Sequence, residues 1–370
     1  MNKKQLIIFS YDYPPSNGGI ARLCQEIAAR MNQYYDTVKV LTVNKQGISH
    51  PYNYDQVEIV KLPQKRGKRE WSAWKYLKAL PNKDKIDVLC GLWHPEACLC
   101  LMAGIKNIYV LAHGTELLAG ASTFRKKVWL PYYAKWVLGS VKRVIANSFY
   151  TLELVKKIHP RANAVALPLA VNHHYFKPLL KNKIDSNLKL CTVSRVLQFK
   201  GHDFIARTIA SLPDSFREKL HWNIAGTGEY LNDIKALVKQ LKIEDIVTFE
   251  GFVSDEKLPQ FYNENDVFVL CTRASEDSSQ VEGFGLVFLE AQACGIPAIG
   301  TRTGGIPDAV KNEKGGWLIE QDNQQQLRDL IIRLLKEPSL ASEMGIKARK
   351  RVETEATWQL YCERLNEYLK

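Results

Sequence analysis

Short apolar runs, separated by amphipathic or charged segments, recur along this chain of 370 residues. Each run is long enough for one strand, and stretches with helical spacing, such as 20–31, lie between them. The runs are at 5–10, 37–43, 86–92, 107–112, 143–146, 188–194, 222–225, 246–249 and 267–270. Strands that alternate with helices form mostly parallel sheets, so the pattern predicts a doubly wound α/β protein. The length is sufficient for two such domains.

The stretch 275–310, SEDSSQVEGFGLVFLEAQACGIPAIGTRTGGIPDAV, predicts a loop, a helix, a short strand and a glycine turn. From Phe284 to Cys294 apolar residues cover almost the whole circumference of the helix, so it should be buried on nearly every side. Glu290 and Gln292 interrupt this apolar surface. An unpaired buried charge is very costly, so Glu290 needs a partner, and a hydroxyl or amide of a ligand would serve.

Glu282-Gly283-Phe284-Gly285 precedes this helix. Glycines at a helix start leave backbone N–H groups open at the positive end of the helix dipole, which favours a diphosphate. One carboxylate at the mouth, an anion site and a second carboxylate further along the helix suit a nucleotide-sugar. A helix N-terminus with an acidic cap and a glycine bend explains the same residues without a ligand.

Arg195 and Lys200 lie in SRVLQFKG, between a predicted strand and a predicted helix. Two cations followed by a glycine in such a loop form an anion site. A surface loop with ordinary charges is the alternative.

The spacing from Glu282 to Glu290, with Gly-Phe-Gly inside it and Ala-Cys-Gly-Ile-Pro after it, resembles the signature of glycosyltransferase family 4. Pro297 and the turn Gly304-Gly305 fall in the same register. The resemblance covers essentially the whole chain and is most specific from 188 to 310.

This resemblance implies the α/β GT-B architecture, in which two Rossmann-like domains face a deep interdomain cleft. It implies an acceptor-binding domain at 1–171 and a nucleotide-sugar-binding domain at 172–356. The segment 357–370 is expected to form a C-terminal helix that packs back on the first domain.

The family's residue roles carry over to matching positions of this sequence. Glu282 would contact hydroxyls of the donor sugar, and Glu290 would contact the ribose. The backbone amides of Gly283, Phe284 and Gly285 would contact the sugar and the phosphates.

Arg195 and Lys200 match the family pattern R-x-x-x-x-K-G, in which both cations bind the donor diphosphate and stabilise the leaving nucleotide. Gly226 and the Val253 loop match segments that border the nucleotide base.

Two further positions lie in the first half of the chain. Gly19 ends a Pro-Pro-x-x-Gly-Gly pattern whose second glycine lies against the donor phosphates in the family. His113 opens a His-Gly-Thr-Glu segment directly after a strand, and it would approach the donor sugar. With Glu282, Arg195 and Lys200, His113 completes the expected catalytic set.

The net charge of +12 is unevenly distributed. Residues 1–170 contain 25 Lys and Arg against 11 Asp and Glu, whereas 171–370 contain 26 against 28. The segments 61–78 and 124–136 interleave cations with Trp and Tyr, a combination typical of an anionic membrane surface. Solvated amphipathic helices with core aromatics are the alternative. Nucleic acid is not expected, because no nucleic-acid module is present.

Composition limits the other classes of site. No apolar run approaches the length needed to span a bilayer, and the first residues read as a strand rather than a signal peptide. The eight cysteines lack paired C-x-x-C spacing and are expected to be reduced thiols of a cytoplasmic protein, peripheral on the membrane. Asp-x-Asp does not occur, so neither a metal ion nor another cofactor is expected.

These features predict a retaining glycosyltransferase that moves a sugar from a UDP- or GDP-sugar to a hydroxyl. The basic, aromatic first half favours a lipid-linked glycan, lipopolysaccharide or glycolipid acceptor in cell-envelope polysaccharide synthesis. A soluble small-molecule acceptor remains an alternative. A nucleotide-sugar epimerase of the same fold and a non-catalytic partner subunit are weaker alternatives, because the glutamate pair, Lys200 and His113 are all present.

Overall fold

The computed structural model describes residues 4–16, 18–44, 57–179, 187–274 and 280–370. The chain forms two compact units. Unit 1 is Met1–Pro168 together with Trp358–Lys370, and unit 2 is Leu169–Thr357. Each unit is organised around one parallel sheet.

Unit 1 contains a sheet of seven described strands in the order β3-β2-β1-β4-β5-β6-β7. Its strands are β1 Gln5–Phe9, β2 Thr37–Val43, β3 Glu58–Leu62, β4 Ile86–Cys90, β5 Asn107–Ala112, β6 Arg143–Ala146 and β7 Ala164–Ala166. Its helices are α1 Gly19–Met31, α2 Lys68–Ala79, α3 Cys98–Met102, α4 Lys135–Ser140, α5 Phe149–Ile158 and, at the far end of the chain, α14 Trp358–Tyr368, with π-helical segments Trp93–Ala97 and Arg125–Ala134. Fully buried Ile7, Val88 and Val110 lie in its core.

Unit 2 contains a sheet of six described strands in the order β10-β9-β8-β11-β12-β13. Its strands are β8 Leu188–Val193, β9 Leu220–Ala225, β10 Val247–Gly251, β11 Val267–Leu270, β12 Ala298–Thr301 and β13 Gly316–Ile319. Its helices are α6 His202–Ala210, α7 Asp214–Arg217, α8 Leu231–Gln240, α9 Leu258–Asn263, α10 Leu286–Ala293, α11 Ile306–Ala309, α12 Gln324–Lys336 and α13 Ser339–Glu355.

In each sheet the chain order reverses once, between β1 and β4 in unit 1 and between β8 and β11 in unit 2. Loops that leave the carboxyl ends of such neighbouring strands diverge, and the crevice between them is where open α/β sheets bind ligands. The loop with Arg195 and Lys200 follows β8, and the loop with Glu282 follows β11. The fold therefore places both predicted loops at the reversal in unit 2.

The predicted strands are present, with ends that differ by at most two residues. Strands β3, β7 and β13 were not predicted. β3 is largely exposed, β7 has only three residues, and the short apolar run of β13 was overlooked. The helix predicted from Phe284 begins instead at Leu286. Its N-cap, Gly285, has φ 87°, a left-handed conformation that cannot continue a right-handed helix.

Candidate functional site

The Lys200 ammonium and the Glu282 carboxylate meet at the reversal in unit 2. Lys200 Nζ lies 2.5 Å from Glu282 Oε2, and the two side chains are only 13% and 16% exposed. The residues are 82 positions apart, so the fold rather than local sequence brings them together. A partly buried, charge-assisted hydrogen bond of this kind holds both side chains in one orientation.

Packing against β11 fixes the position of the Lys200 backbone. Lys200 ends a short 3-10 turn, and Gly201 then turns the chain into α6 with φ 76°. A Cβ at Gly201 would lie 1.9 Å from the Cys271 carbonyl oxygen, so only glycine fits. The R-x-x-x-x-K-G pattern thus needs a glycine at position 201 because the Cys271 backbone approaches it closely.

Arg195 lies five residues before Lys200 and is exposed. Nearby, the Ser194 hydroxyl and His202 Nε2 lie 3.3 Å apart and connect the two ends of this loop. Burial, and then the charge of Lys200, lower the pKa of His202 to about 4, so its imidazole is neutral near pH 7. The sequence offered no signal for this internal contact.

The start of α10 has no side-chain cap among the described residues, as the glycines before it predict. Gly283, Phe284 and Gly285 are buried. A Cβ at Gly285 would lie 2.6 Å from the Phe288 ring. Phe284 is therefore an apolar anchor, while the backbone N–H groups that follow it are the groups able to bind an anion.

The Glu282 backbone is held by the glycine turn that follows β12. The Gly305 N–H donates to the Glu282 carbonyl at 2.8 Å. A Cβ at Gly304 would lie 2.3 Å from the same oxygen. This turn accordingly supports the Glu282 loop. Residues 275–279, which begin the organising stretch of the sequence, lie outside the described residues.

Glu290 is 4% exposed, as the all-apolar pattern around it predicts. Its partner includes a protein group: the Tyr262 hydroxyl donates to Glu290 Oε2 at 3.0 Å. Burial, and then the Glu290 charge, raise the pKa of Tyr262 well above its ordinary value, so the tyrosine stays protonated and donates. From the sequence, a ligand was the expected partner of Glu290, and Tyr262 was not considered. Tyr262 lies on α9, and no sequence pattern connects it to α10.

Gly226 and Val253 lie in the loops after β9 and β10. The Gly226 N–H donates to the Gly251 carbonyl at 2.6 Å, and a Cβ at Gly226 would lie 1.8 Å from the Ser194 carbonyl oxygen. Beside Val253, the Phe252 side chain is 75% exposed. Phe252 is thus an exposed aromatic residue at the carboxyl edge of this sheet, and the sequence motifs assign no role to it.

Gly19 and His113 belong to unit 1, at the carboxyl edge of its own sheet. His113 follows β5, and its Nε2 lies 2.8 Å from the Gly91 carbonyl oxygen, which fixes that nitrogen as the N–H donor. The Glu116 carboxylate accepts from the His113 backbone N–H at 2.7 Å. Gly19 is the exposed first residue of α1, which has no side-chain cap among the described residues.

Glu96 is a buried carboxyl group at the β1–β4 reversal of unit 1. Its Oε1 accepts from the Tyr11 N–H at 3.4 Å, whereas its Oε2 is buried without a protein partner among the described residues. Burial, and to a smaller extent Asp12, raise the pKa of Glu96 to about 7, against the lowering effect of backbone hydrogen bonds and Arg69. No sequence motif indicates a buried carboxylic acid at this position.

The two basic, aromatic segments of unit 1, 61–78 and 124–136, have exposed aromatic side chains. Trp71 is 60% exposed on α2, and Phe124, Tyr132 and Trp136 are 59%, 72% and 51% exposed in and beside the π-helical segment. On α2 the exposed residues Lys68, Trp71, Lys75 and Lys78 follow helical spacing and share one face. Among the described residues, no helix has the length and apolar character required to cross a membrane.

The cysteines are free thiols, and all but the half-buried Cys98 are buried, as predicted. The described residues contain no cluster of three or more His, Cys, Asp or Glu side chains placed to hold a metal ion. In unit 2, Lys200, Arg195 and the start of α10 provide two cations and backbone N–H groups, which are the groups that bind anions in proteins.

Comparison with known proteins gives two family matches. The model described as "Glycosyltransferase Family 4" matches residues 17–175, and "Glycosyl transferases group 1" matches residues 180–351. Together they span most of the chain.

Two relatives and one solved structure illustrate the similarity. A GDP-mannose-dependent alpha-(1-6)-phosphatidylinositol monomannoside mannosyltransferase of Mycobacterium tuberculosis is 30% identical over 235 residues, which are 60% of each protein. A GDP-mannose-dependent monoacylated alpha-(1-6)-phosphatidylinositol monomannoside mannosyltransferase of Corynebacterium glutamicum is 25% identical over 99% of this chain and 98% of its own. The structure of Anabaena Alr3699/HepE in complex with UDP has the same fold, with a TM-score of 0.76, 16% identity and 99% coverage of both chains.

Proposed function

Because this chain belongs to glycosyltransferase family 4 and has the two Rossmann-like domains of the GT-B fold, we propose that it transfers a hexose from a nucleoside-diphosphate sugar to a hydroxyl group with retention of anomeric configuration. The Lys200–Glu282 pair carries this proposal. It supports the proposal because a cation suited to a diphosphate lies beside a carboxylate suited to sugar hydroxyls, at the strand reversal where such sheets bind ligands.

Arg195 and the open start of α10 extend the anion site. Both Arg195 and Lys200 would stabilise the negative charge that develops on the leaving nucleoside diphosphate, a role that elsewhere falls to a metal ion. We propose that no metal or other cofactor takes part. With Glu282 engaged by Lys200, the acceptor hydroxyl would attack the anomeric carbon on the face from which the diphosphate leaves. The bond from that carbon to the phosphate oxygen would break, and the departing phosphate would take the hydroxyl proton. This front-face substitution accounts for retention without a covalent intermediate.

The donor is a UDP- or GDP-sugar. The names of the M. tuberculosis and C. glutamicum relatives favour GDP-mannose, whereas the Anabaena structure contains UDP. Isothermal calorimetry with GDP and UDP, each with and without EDTA, tests the proposal directly. Micromolar binding of one nucleotide that EDTA leaves unchanged is the expected result. Binding of neither nucleotide would overturn the proposed function, and binding abolished by EDTA would overturn its metal independence.

The acceptor proposed is a glycolipid or lipid-linked glycan of the cell envelope, such as lipopolysaccharide, reached by peripheral binding at the cytoplasmic face of the membrane. The exposed Lys68, Trp71, Lys75 and Lys78 of α2 support it, because cations attract anionic head groups while the indole sits at the boundary. The names of the relatives also specify phosphatidylinositol mannosides.

Vesicle flotation tests this docking. The protein is mixed with phosphatidylcholine vesicles with or without phosphatidylglycerol, at low and high salt. Binding that needs the anionic lipid, weakens with salt and falls in Trp71→Ala is expected. Ile346→Ala is the matched control, since Ile346 is an exposed apolar residue of unit 2. Equal loss in both variants, or no flotation at low salt, would contradict docking through α2 and favour a soluble acceptor.

A further inference from the structure

The segment 271–273, which directly follows β11, lies against the loop that carries Lys200. The Arg273 backbone N–H donates to the Phe199 carbonyl at 2.6 Å. Two residues earlier, the Cys271 carbonyl oxygen occupies the space where a Cβ of Gly201 would be. The backbone on both sides of Lys200 thus rests on this segment.

The Arg273 side chain also makes an ion pair with α6, the helix that follows Lys200. Its Nη1 donates to Asp203 Oδ1 at 2.8 Å, and its Nε donates to Asp322 Oδ1 at 2.7 Å. Asp203 is in the first turn of α6, three residues after Lys200. Although burial acts in the opposite direction, these two hydrogen bonds raise the pKa of Arg273 above its ordinary value. The guanidinium therefore connects the start of α6 to the chain after β13.

Thr272 connects the same segment to the Glu282 loop. Its carbonyl accepts hydrogen bonds from the hydroxyls of Thr301 at 2.7 Å and Thr303 at 3.1 Å. The two threonine hydroxyls also lie 3.0 Å apart. Thr303 precedes the turn Gly304-Gly305, whose backbone packs against and donates to the Glu282 carbonyl.

We propose that the segment 271–273 is a brace that positions the two donor-binding side chains by separate routes, Lys200 through Arg273 and Glu282 through Thr272 and Thr303. Arg273 and Thr303 are then positioning residues, since neither needs to touch the substrate. This inference rests on the proposed function, because it assigns Lys200 to the diphosphate and Glu282 to the sugar.

The two routes predict different losses. Displacement of Lys200 weakens every ligand that has the diphosphate, with or without a sugar. Displacement of Glu282 weakens the ligand that also has the sugar. The nucleotide alone is not weakened, and it binds more tightly where the ion pair with Lys200 opens. A general loss of structure would weaken both ligands whichever route is altered. The ratio of the two affinities in a variant of the Glu282 route therefore separates positioning from damage to the fold.

The experiment measures dissociation constants of GDP and GDP-mannose, and of UDP and UDP-glucose, by calorimetry. Arg273→Met is expected to weaken the nucleotide and the nucleotide-sugar equally, by about threefold to tenfold, as for the loss of one or two hydrogen bonds. Thr303→Val is expected to weaken only the nucleotide-sugar, by a similar factor of about three to ten. Arg273→Lys keeps the charge but cannot reach both carboxylates. Its dissociation constants are expected to fall between those of Arg273→Met and the wild type.

Arg302→Met is the matched control. Arg302 also pairs with a carboxylate, Glu320, at 3.0 Å, but on the exposed surface between Thr301 and Thr303. The Arg302→Met variant should bind both ligands with the same dissociation constants as the wild type. If Arg273→Met does not fold, Asp322→Asn is the substitute, at a left-handed position that asparagine tolerates. It removes the charge of one partner of the guanidinium but keeps an oxygen that can accept the hydrogen bond, so a smaller loss is expected, equal for both ligands.

Each failure is distinct. A wild-type protein that binds neither nucleotide overturns the proposed function and with it the brace. A wild-type protein that binds, combined with an Arg273→Met or Thr303→Val variant that shows no loss, overturns the brace alone. The same follows if Thr303→Val weakens the nucleotide as much as the nucleotide-sugar.

Discussion

Lys200 and Glu282 form a hydrogen-bonded ion pair, with 2.5 Å between Nζ and Oε2, across the strand reversal of unit 2. In this pair the carboxylate offsets the charge of the cation that is expected to bind the donor diphosphate. The attraction of Lys200 for phosphate is consequently reduced unless sugar hydroxyls also engage Glu282. We therefore expect the pair to favour a nucleotide-sugar over the nucleotide product.

Glu282→Gln should reveal this preference. Without the carboxylate, Lys200 is no longer offset, so binding of GDP or UDP should strengthen by about twofold to fivefold, the range for one partly exposed ion pair. Turnover of the nucleotide-sugar should fall by roughly a hundredfold or more, because a group that acts on the sugar is altered. Calorimetry and a radiolabelled transfer assay measure the two effects.

Lys200→Ala provides the contrast, with weaker nucleotide binding and lower turnover together. Lys239→Ala, at an exposed position on α8, controls for the loss of one positive charge. A Glu282→Gln variant that binds the nucleotide less tightly than the wild type would contradict the offset between the two charges.

The sequence predicted much of unit 2 because local signals coincide with the fold there. Buried parallel strands are continuous apolar runs. Gly201 and Gly304 are required because the Cys271 and Glu282 carbonyl groups, respectively, approach them closely. The partners of the polar groups were not predictable in the same way. Tyr262 meets Glu290 across 28 residues, and Arg273 meets Asp203 across 70, with no pattern that connects them.

Tyr262→Phe should destabilise unit 2 through Glu290. The hydroxyl that donates to the buried Glu290 carboxylate is lost while the apolar ring stays, so the free energy of unfolding should fall by about 1–3 kcal/mol. Urea unfolding followed by circular dichroism measures it. Tyr132→Phe removes a hydroxyl from an exposed ring and should leave the unfolding free energy unchanged. Equal stability of Tyr262→Phe and the wild type would show that this hydrogen bond contributes nothing net.

Glu96→Gln should change how stability depends on pH. The folded protein holds the Glu96 proton up to a pKa of about 7, whereas the unfolded chain releases it near its ordinary pKa of about 4.3. The folded state thus binds more protons between these values, and the contribution of Glu96 to stability is lost as pH rises through that window. The charged or titratable groups that interact with it are Asp12, Arg69, Tyr11, Cys24 and Cys90.

The difference in melting temperature between Glu96→Gln and the wild type isolates this effect. It should grow in favour of the variant from pH 5 to pH 8, because glutamine has no proton to lose. The subtraction is needed because His202, with its pKa lowered to about 4, has the opposite effect on stability as pH falls below its ordinary value. A difference that does not vary with pH would contradict the raised pKa of Glu96.

Gly201 and Gly104 separate the two reasons for which a chain requires glycine. Both have left-handed backbones, with φ 76° and 78°, but a Cβ at Gly201 would overlap the Cys271 carbonyl oxygen, whereas nothing lies within 4 Å of one at Gly104. Gly104→Ala should therefore cost only the conformational term, about 1–2 kcal/mol of unfolding free energy. Gly201→Ala should lose more stability and also weaken nucleotide binding, because the backbone beside Lys200 must move away from β11. Urea unfolding and calorimetry on the two variants test this, and equal losses of stability with unchanged nucleotide binding would contradict it.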